Sequence, residues 1–227
     1  VTLQPTLRPW LLVLDAAVQA PKLANAELRM TPQLQWISSQ PVTDLVRYQA
    51  QSYTEFNHGP TRFVPGLRID LDVPPGFNPR TRALAEQMRA DPRLAQADAL
   101  TLAADIFTRL RNGGYAYTLE PGTAGIHSAD EFWFDSKLGF CEHIASAFVI
   151  LMRNLGVPAR IVTGYQGGSL NPVDGYWVVR QSDAHAWAEI WQEGRGWVRM
   201  DPTSAVAPGR VGSFTRLPAP SGAVASA

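Results

Sequence analysis

The segment that most restricts how this chain can fold runs from Cys141 to Asp201. Cys141 opens the strongest helical pattern in the sequence, with Ala145, Phe148, Met152 and Leu155 along one face, and Gly156 with Pro158 just beyond supplies the stop. Strand-like runs follow at Ala159–Tyr165 and Tyr176–Gln181, separated by a Gly/Asn/Pro/Asp loop, then at Ala184–Trp191 and Trp197–Asp201. A helix followed by several strands is an α+β order.

What precedes that segment has two different grammars. Up to about residue 74 the chain alternates apolar and polar positions, as in Trp10–Leu14, Leu34–Ile37 and Leu45–Tyr53, with breaks at Pro21, Pro32, Pro41 and Pro60. This spacing predicts short strands in a small antiparallel β region, residues 1–74. After Val73 the pattern turns helical: Asn78 and Pro79 read as N-cap and first residue of a helix over Arg80–Ala90. A second helix is expected over Asp98–Asn112, closed by Gly113 and Gly114. Tyr115–Leu119 reads as a short extended piece and Pro121–Asp130 as a loop, so residues 75–204 form an α+β core. From Ala205 to Ala227, Pro, Ala, Gly and Ser dominate, the composition of a linker or tail.

Composition narrows the function classes. In 227 residues, 45% apolar and 18% charged residues are those of a globular chain, while 20 basic against 20 acidic residues give no charge footprint for nucleic acid or an anionic membrane. The longest apolar run, Ile144–Met152, falls well short of the roughly 18 residues that cross a bilayer. Val1 carries no start methionine and no charged-then-apolar leader, and the chain reads as a fragment that is itself soluble. The single Cys141 can form neither an internal disulfide nor a thiolate zinc site, so it is either buried filler or a working thiol.

Its position favours work. A thiol in the first turn of a helix faces unpaired backbone N–H groups and the positive end of the helix dipole, both of which favour thiolate. Downstream, His185, Trp187, Glu189 and Trp191 fall on one face of a strand, and Gln192–Gly196 reads as a turn. The midpoint between residues 185 and 201 is 193, so a hairpin centred there sets His185 opposite Asp201 on one face. Singly, each of the three has a structural reading: small core residue, satisfied histidine, turn former before Pro202. Together they describe a nucleophile, a base and an orienting carboxylate, the cysteine form of a catalytic triad.

The other candidates are weaker. His143 points away from Cys141 on a helix and reads as a wall or surface residue, and Asp183 as a local turn group; His58 and His127 have no evident partner. An acyl-transfer reading needs oxyanion donors. The Cys141 N–H is one; Tyr115, Tyr117 and Trp133 are upstream side chains with a suitable donor, although such aromatics are more often core. Motifs for zinc peptidases, serine hydrolases, P-loops and dinucleotide folds are absent, and no cofactor or metal is implied.

Gly139–Phe148, Gly156–Tyr165, Asp183–Glu189 and Gly196–Thr203 resemble the core of the transglutaminase-like superfamily. Within it, Gly164–Gly168, Asn171–Tyr176 and Arg180–His185 look like the bacterial TgpA-type membrane proteins. The likeness covers about residues 100 to 210. It implies a papain-like, transglutaminase-like α+β core with Cys141, His185 and Asp201 at the catalytic positions. It also implies glutamine acyl transfer to an amine, and a parent protein whose membrane helices flank a periplasmic region containing this chain. The calcium loops of animal relatives have no counterpart here.

The same scaffold also serves peptidases and amidases, and some members are inactive. Three functions therefore stand: a protein-glutamine gamma-glutamyltransferase, with a glutamine-bearing protein or peptide and an amine as partners; a cysteine peptidase or amidase of the cell envelope; and an inactive binding module. Trp177, Trp187, Trp191 and Trp197 either line a water-excluding tunnel, with Trp187 a substrate-pocket residue, or pack the sheet.

Overall fold

The computed structural model describes residues 1–17, 19–23 and 26–209. The chain forms two compact units, Val1–Gly59 and a second that begins at Pro60.

Frequent prolines keep the strands of the first unit to two or three residues, because each proline removes a ladder donor. The long alternating runs at Trp10–Leu14 and Leu45–Tyr53 therefore shrink to β2 and β5. Strands β1 (Thr2–Leu3) and β5 (Val46–Arg47) pair antiparallel; β2 (Trp10–Leu11), β3 (Leu28–Met30) and β4 (Trp36–Ser38) form an antiparallel sheet with β4 central. Leu3, Leu11, Ala17, Trp36, Val42 and Tyr48 make its core, and the Trp36 indole N–H donates to the Ala17 carbonyl at 2.5 Å.

The division falls earlier than the composition shift at residue 74. Residues 60–72 belong to the second unit because their backbone is bound there: the Pro60 carbonyl accepts from the Trp191 indole at 2.6 Å, and Gly194 N–H donates to the Thr61 carbonyl at 2.8 Å. A 3-10 helix over Pro65–Leu71 buries Leu67, and Arg153 donates to the Asp72 carbonyl at 2.9 Å.

In the second unit, α1 (Pro79–Ala90) and α2 (Ala99–Asn112) lie where the sequence puts them. Asp98 caps α2 by accepting from Thr101 N–H at 2.9 Å. Asn78 does not cap α1: its backbone is left-handed, with φ 49°, and its side-chain oxygen accepts instead from Ala129 and Asp130 N–H. The α1 cap comes from across the fold. The buried Asp130 carboxylate takes Arg80 N–H at 2.9 Å, Thr81 N–H at 2.7 Å and the Thr81 hydroxyl at 2.6 Å. His127 completes the exchange by accepting Asn78 N–H at 3.1 Å.

Pro121–Asp130 is thus not all loop, since α3 (Ser128–Asp130) continues into a π-helical turn over Glu131–Ser136. On either side of these turns in the chain, β6 (Ala116–Tyr117) and β7 (Leu138–Gly139) pair in parallel. α4 (Cys141–Asn154) follows and is buried on nearly every side, with Ile144, Ala145, Ala147, Phe148, Leu151 and Met152 shielded from water. An all-round apolar helix is a central one. It lies between α1 and the sheet formed by β8 (Ala159–Tyr165), β11 (Ala184–Gln192) and β12 (Gly196–Met200). β11 is central and antiparallel to both neighbours, and its Ala186, Ala188 and Ile190 let α4 approach closely. β9 (Ser169–Leu170) and β10 (Trp177–Val178) form a separate hairpin, shorter than the strand expected over Tyr176–Gln181. The final α5 (Thr203–Val206) buries Ala205, so the core extends past residue 204; most of the expected tail, 210–227, lies outside the described residues.

Candidate active site

Cys141 is the first residue of α4, and Phe140 occupies the cap position without a side-chain hydrogen bond to the helix. Ser, Thr, Asp or Asn there would take one of the free N–H groups of the first turn. Phe140 leaves them open, and Glu142 N–H is directed to the Cys141 sulfur.

The strands supply the partners. Trp191 N–H donates to the Pro158 carbonyl and Gln166 N–H to the Asp183 carbonyl, so odd-numbered residues of β11 turn their backbone polar groups to β8. Even-numbered residues turn theirs the other way, where β12 pairs only as far as Ala188. Ala186 N–H therefore lies beyond the end of β12, and it binds the Cys141 sulfur. Cys141, Ala145 and Ala186 form a small buried cluster against which Tyr117 and Phe140 pack.

His185 is buried beside them. Its Nε2 lies 2.7 Å from Asp201 Oδ2, and its ring hydrogen-bonds the Cys141 sulfur, which leaves Nδ1 for that contact. Asp201 is held in turn: Oδ1 accepts Thr203 N–H at 3.2 Å and its carbonyl accepts the Ser204 hydroxyl at 2.7 Å. The Trp187 ring stacks beside the imidazole at 6.2 Å and 24°, with the Arg199 guanidinium 4.2 Å from the indole. Gly164, paired with His185, permits this, because a Cβ there would meet the Trp187 ring at 2.9 Å.

The electrostatics favour an ion pair. Burial alone would push the Cys141 thiol up, but the His185 imidazole and the Ala186 and Glu142 N–H groups outweigh it and hold the thiol below its ordinary value. Burial also opposes a charge on His185, yet its hydrogen bonds to Asp201 and Cys141, with their negative charges, raise it to about 9.

The three residues singled out from the sequence are therefore brought together, but not by the register expected. The β11–β12 ladder is centred on Gly194, with Gln192 opposite Gly196 and Ala188 opposite Met200. Asp201 thus follows a register that sets it level with Trp187, and it reaches His185 diagonally. The displacement is by two residues, which preserves the face; a slip of one would have turned the carboxylate away.

Two proposed oxyanion donors are otherwise committed. Tyr115 donates its hydroxyl to the Trp133 carbonyl at 3.0 Å, and Trp133 donates its indole N–H to the Ala147 carbonyl at 3.2 Å. Both are core groups that brace the π-helical turn against α4. Tyr117 packs against the cluster of Cys141, Ala145 and Ala186. The tunnel fares no better: Trp191 is bound to Pro60, Trp197 lies under Arg160 at 4.1 Å, and Arg160 pairs with Glu189 at 2.6 Å, so these aromatics pack the sheet. His143 rests edge-on against Phe140, and Asp183 bonds Arg180 N–H locally, as expected. Among the described residues, no cluster of three or more His, Cys, Asp or Glu could hold a metal ion.

The chain belongs to the transglutaminase-like superfamily, whose family model matches residues 82–202. The chain is 39% identical over 212 residues to the protein-glutamine gamma-glutamyltransferase of Pseudomonas aeruginosa, covering 93% of this chain but 30% of that protein. The periplasmic domain of TgpA from Pseudomonas aeruginosa, solved alone and bound to ethylmercury, superimposes with a TM-score of 0.83 at 38% identity. That match covers 92% of this chain and, for the ethylmercury form, 72% of the domain. The uncharacterized Bacillus subtilis protein YebA is 36% identical over 100 residues, which is 40% of this chain and 14% of that protein. The chain thus spans about three tenths of the length of that Pseudomonas aeruginosa protein.

Proposed function

We propose that this chain is a cysteine acyltransferase that acts on glutamine side-chain carboxamides and passes the acyl group to an amine. The observation that carries this reading is the line from the Cys141 sulfur through the His185 ring to the Asp201 carboxylate, at the open end of α4. The 39% identical relative bears the name of that activity.

In this reading the Cys141 thiolate attacks the carboxamide carbon and a C–S bond forms. The developing oxyanion takes the Cys141 N–H, with Tyr117 the candidate for a second donor. The His185 imidazolium gives its proton to the amide nitrogen, the C–N bond breaks, and ammonia leaves a thioester. An amine then attacks that thioester while neutral His185 accepts its proton; the C–S bond breaks and the thiolate returns. Asp201 keeps Nδ1 turned to the sulfur and steadies the imidazolium charge. The partners are a glutamine-bearing protein or peptide and an amine donor such as lysine. The chain itself acts as the periplasmic part of an inner-membrane protein, a placement supported by its likeness to a periplasmic domain. Among the described residues, no helix is long and apolar enough to cross a membrane.

The test is incorporation of a labelled primary amine into a glutamine-containing protein, run beside a peptide-cleavage assay. The reading predicts incorporation that is lost in Cys141→Ala and His185→Ala. Cleavage without incorporation favours a hydrolase; neither activity, with a thiol inert to alkylation at neutral pH, favours a binding module.

A further inference from the structure

Between β8 and β11 the chain makes an excursion that the chemistry above does not use. It leaves after Gln166 and returns at Arg180, and its two roots are joined by Gln166 N–H donating to the Asp183 carbonyl at 3.0 Å. The adjoining ladder pairs are Tyr165 with Ala184 and Gly164 with His185, so the hairpin is rooted within two residues of the imidazole on both strands. Its base is fixed by Arg180 donating to the Ser169 hydroxyl at 2.7 Å and by the Tyr165 hydroxyl on Gln181 at 2.9 Å.

The tip is closed by its own polar groups. Asn171 accepts Val173 N–H at 2.9 Å and Asp174 accepts Tyr176 N–H at 3.1 Å, while Asn171 N–H and Gly175 N–H bond to the Tyr176 and Asn171 carbonyls. This preformed turn displays apolar side chains to water: Val173 is 92% exposed, Tyr176 73% and Trp177 59%, with Leu170 and Val179 half exposed beside them. Contiguous exposure of this kind marks a binding surface, and a rigid one loses little entropy on binding.

We propose that this hairpin is the recognition flap for the acyl donor, docking an apolar stretch of the polypeptide that carries the reactive glutamine. The proposal rests on the acyl-transfer reading, since its force comes from the hairpin's roots, Gln166 and Asp183, adjoining the ladder pair that holds His185. A lipid surface fits less well. The tip carries Asp174 and no lysine or arginine, and the cations at its base are engaged there, Arg180 with the Ser169 hydroxyl and Arg199 with the Gln166 side chain.

The experiment combines Val173→Asp, Tyr176→Ser and Trp177→Ser in the full chain. Amine incorporation is measured with dimethylated casein as the large donor and with a blocked glutaminyl-glycine dipeptide as the small one, and Cys141 alkylation by iodoacetamide reports the integrity of the site. The proposal predicts that kcat/KM on casein falls on the order of tenfold or more, mainly through KM, with the dipeptide and alkylation rates unchanged. An unchanged casein rate, or equal loss on both donors, overturns it. So does liposome binding by the wild type that the substitutions abolish while KM for casein stays put. Should the wild type label neither donor, the acyl-transfer reading fails separately. Casein binding to the Cys141→Ala chain then decides the flap, and equal affinity with and without the three substitutions refutes it.

Discussion

Replacing Asp201 by Asn keeps the shape of the side chain and removes its charge, and its consequences follow from the site geometry. Asp201 Oδ2 lies 2.7 Å from His185 Nε2 with both side chains almost wholly buried, so the imidazolium has no water to replace the lost carboxylate. Deleting one member of a buried pair costs about 3 to 5 kcal/mol. The rise of His185 to about 9 is shared between Asp201 and Cys141. Exchanging the charge-assisted hydrogen bond of the carboxylate for a neutral amide contact weakens the hold on the imidazolium by about 2 kcal/mol. That is on the order of thirtyfold in the equilibrium between the thiolate–imidazolium pair and its neutral form. The assay is the second-order rate of iodoacetamide alkylation at Cys141 as a function of pH. In the wild type, thiolate reactivity rises below the ordinary thiol range, holds through neutrality and changes again as pH climbs through about 9, where the imidazolium gives up its proton. In Asp201→Asn the acid limb moves up toward an ordinary thiol and the neutral rate drops, with about thirtyfold as the limit. Superimposable profiles for the two proteins would refute the reasoning, because the carboxylate would then not be setting the charge on the ring.

Other parts of the account can be tested in the same preparation. Gly164→Val places a Cβ 2.9 Å from the Trp187 ring, so the indole must leave its place beside His185; chemical denaturation should show a loss of about 1 to 3 kcal/mol, with slower alkylation of Cys141. Asp130→Ala strips Arg80 N–H and Thr81 of their partner inside the fold and should cost about 2 to 4 kcal/mol, read as a lower Tm, whereas Asp135→Ala, which breaks an exposed pair with Arg80, should cost under about 1 kcal/mol. The raised His185 adds stability that is complete below about pH 6.5, the unfolded value, and is lost as pH rises through about 9. Cys141, held below its ordinary value by the same ring, contributes with the opposite sign over this range, so the imidazole is read in the Cys141→Ala background: there His185→Gln should flatten the alkaline side of the stability curve, measured by denaturation between pH 6 and 10, and an unchanged slope would contradict the assignment.

Much of the site was legible because its geometry depends on local periodicity. A helix opening at Cys141 is written in its apolar spacing and its Gly156 stop, and parity alone set His185 and Asp201 on one face even though the hairpin centre fell at Gly194 and not at Glu193. What escaped the sequence is long-range. No pattern near Asn78 says that Asp130 will cap α1, and nothing before Pro74 says that Pro60 and Thr61 will bind β11 and its turn. The π-helical turn over Glu131–Ser136 has no distinctive periodicity, and the commitments of Tyr115 and Trp133 depend on carbonyls that only the folded chain brings near. Ala186 N–H lies in between: strand parity implies its direction, but the early end of β12 that frees it was not foreseeable from composition.

The central claim concerns one covalent event at one sulfur. Mixing the wild-type chain with a glutamine-containing peptide in the absence of amine, quenching in acid and reading the intact and digested masses tests it directly. The account predicts an adduct on Cys141 equal to the peptide minus one ammonia, discharged when a primary amine is added and missing in Cys141→Ala. Ammonia release without any adduct at Cys141, or an adduct carried by another residue, would contradict it.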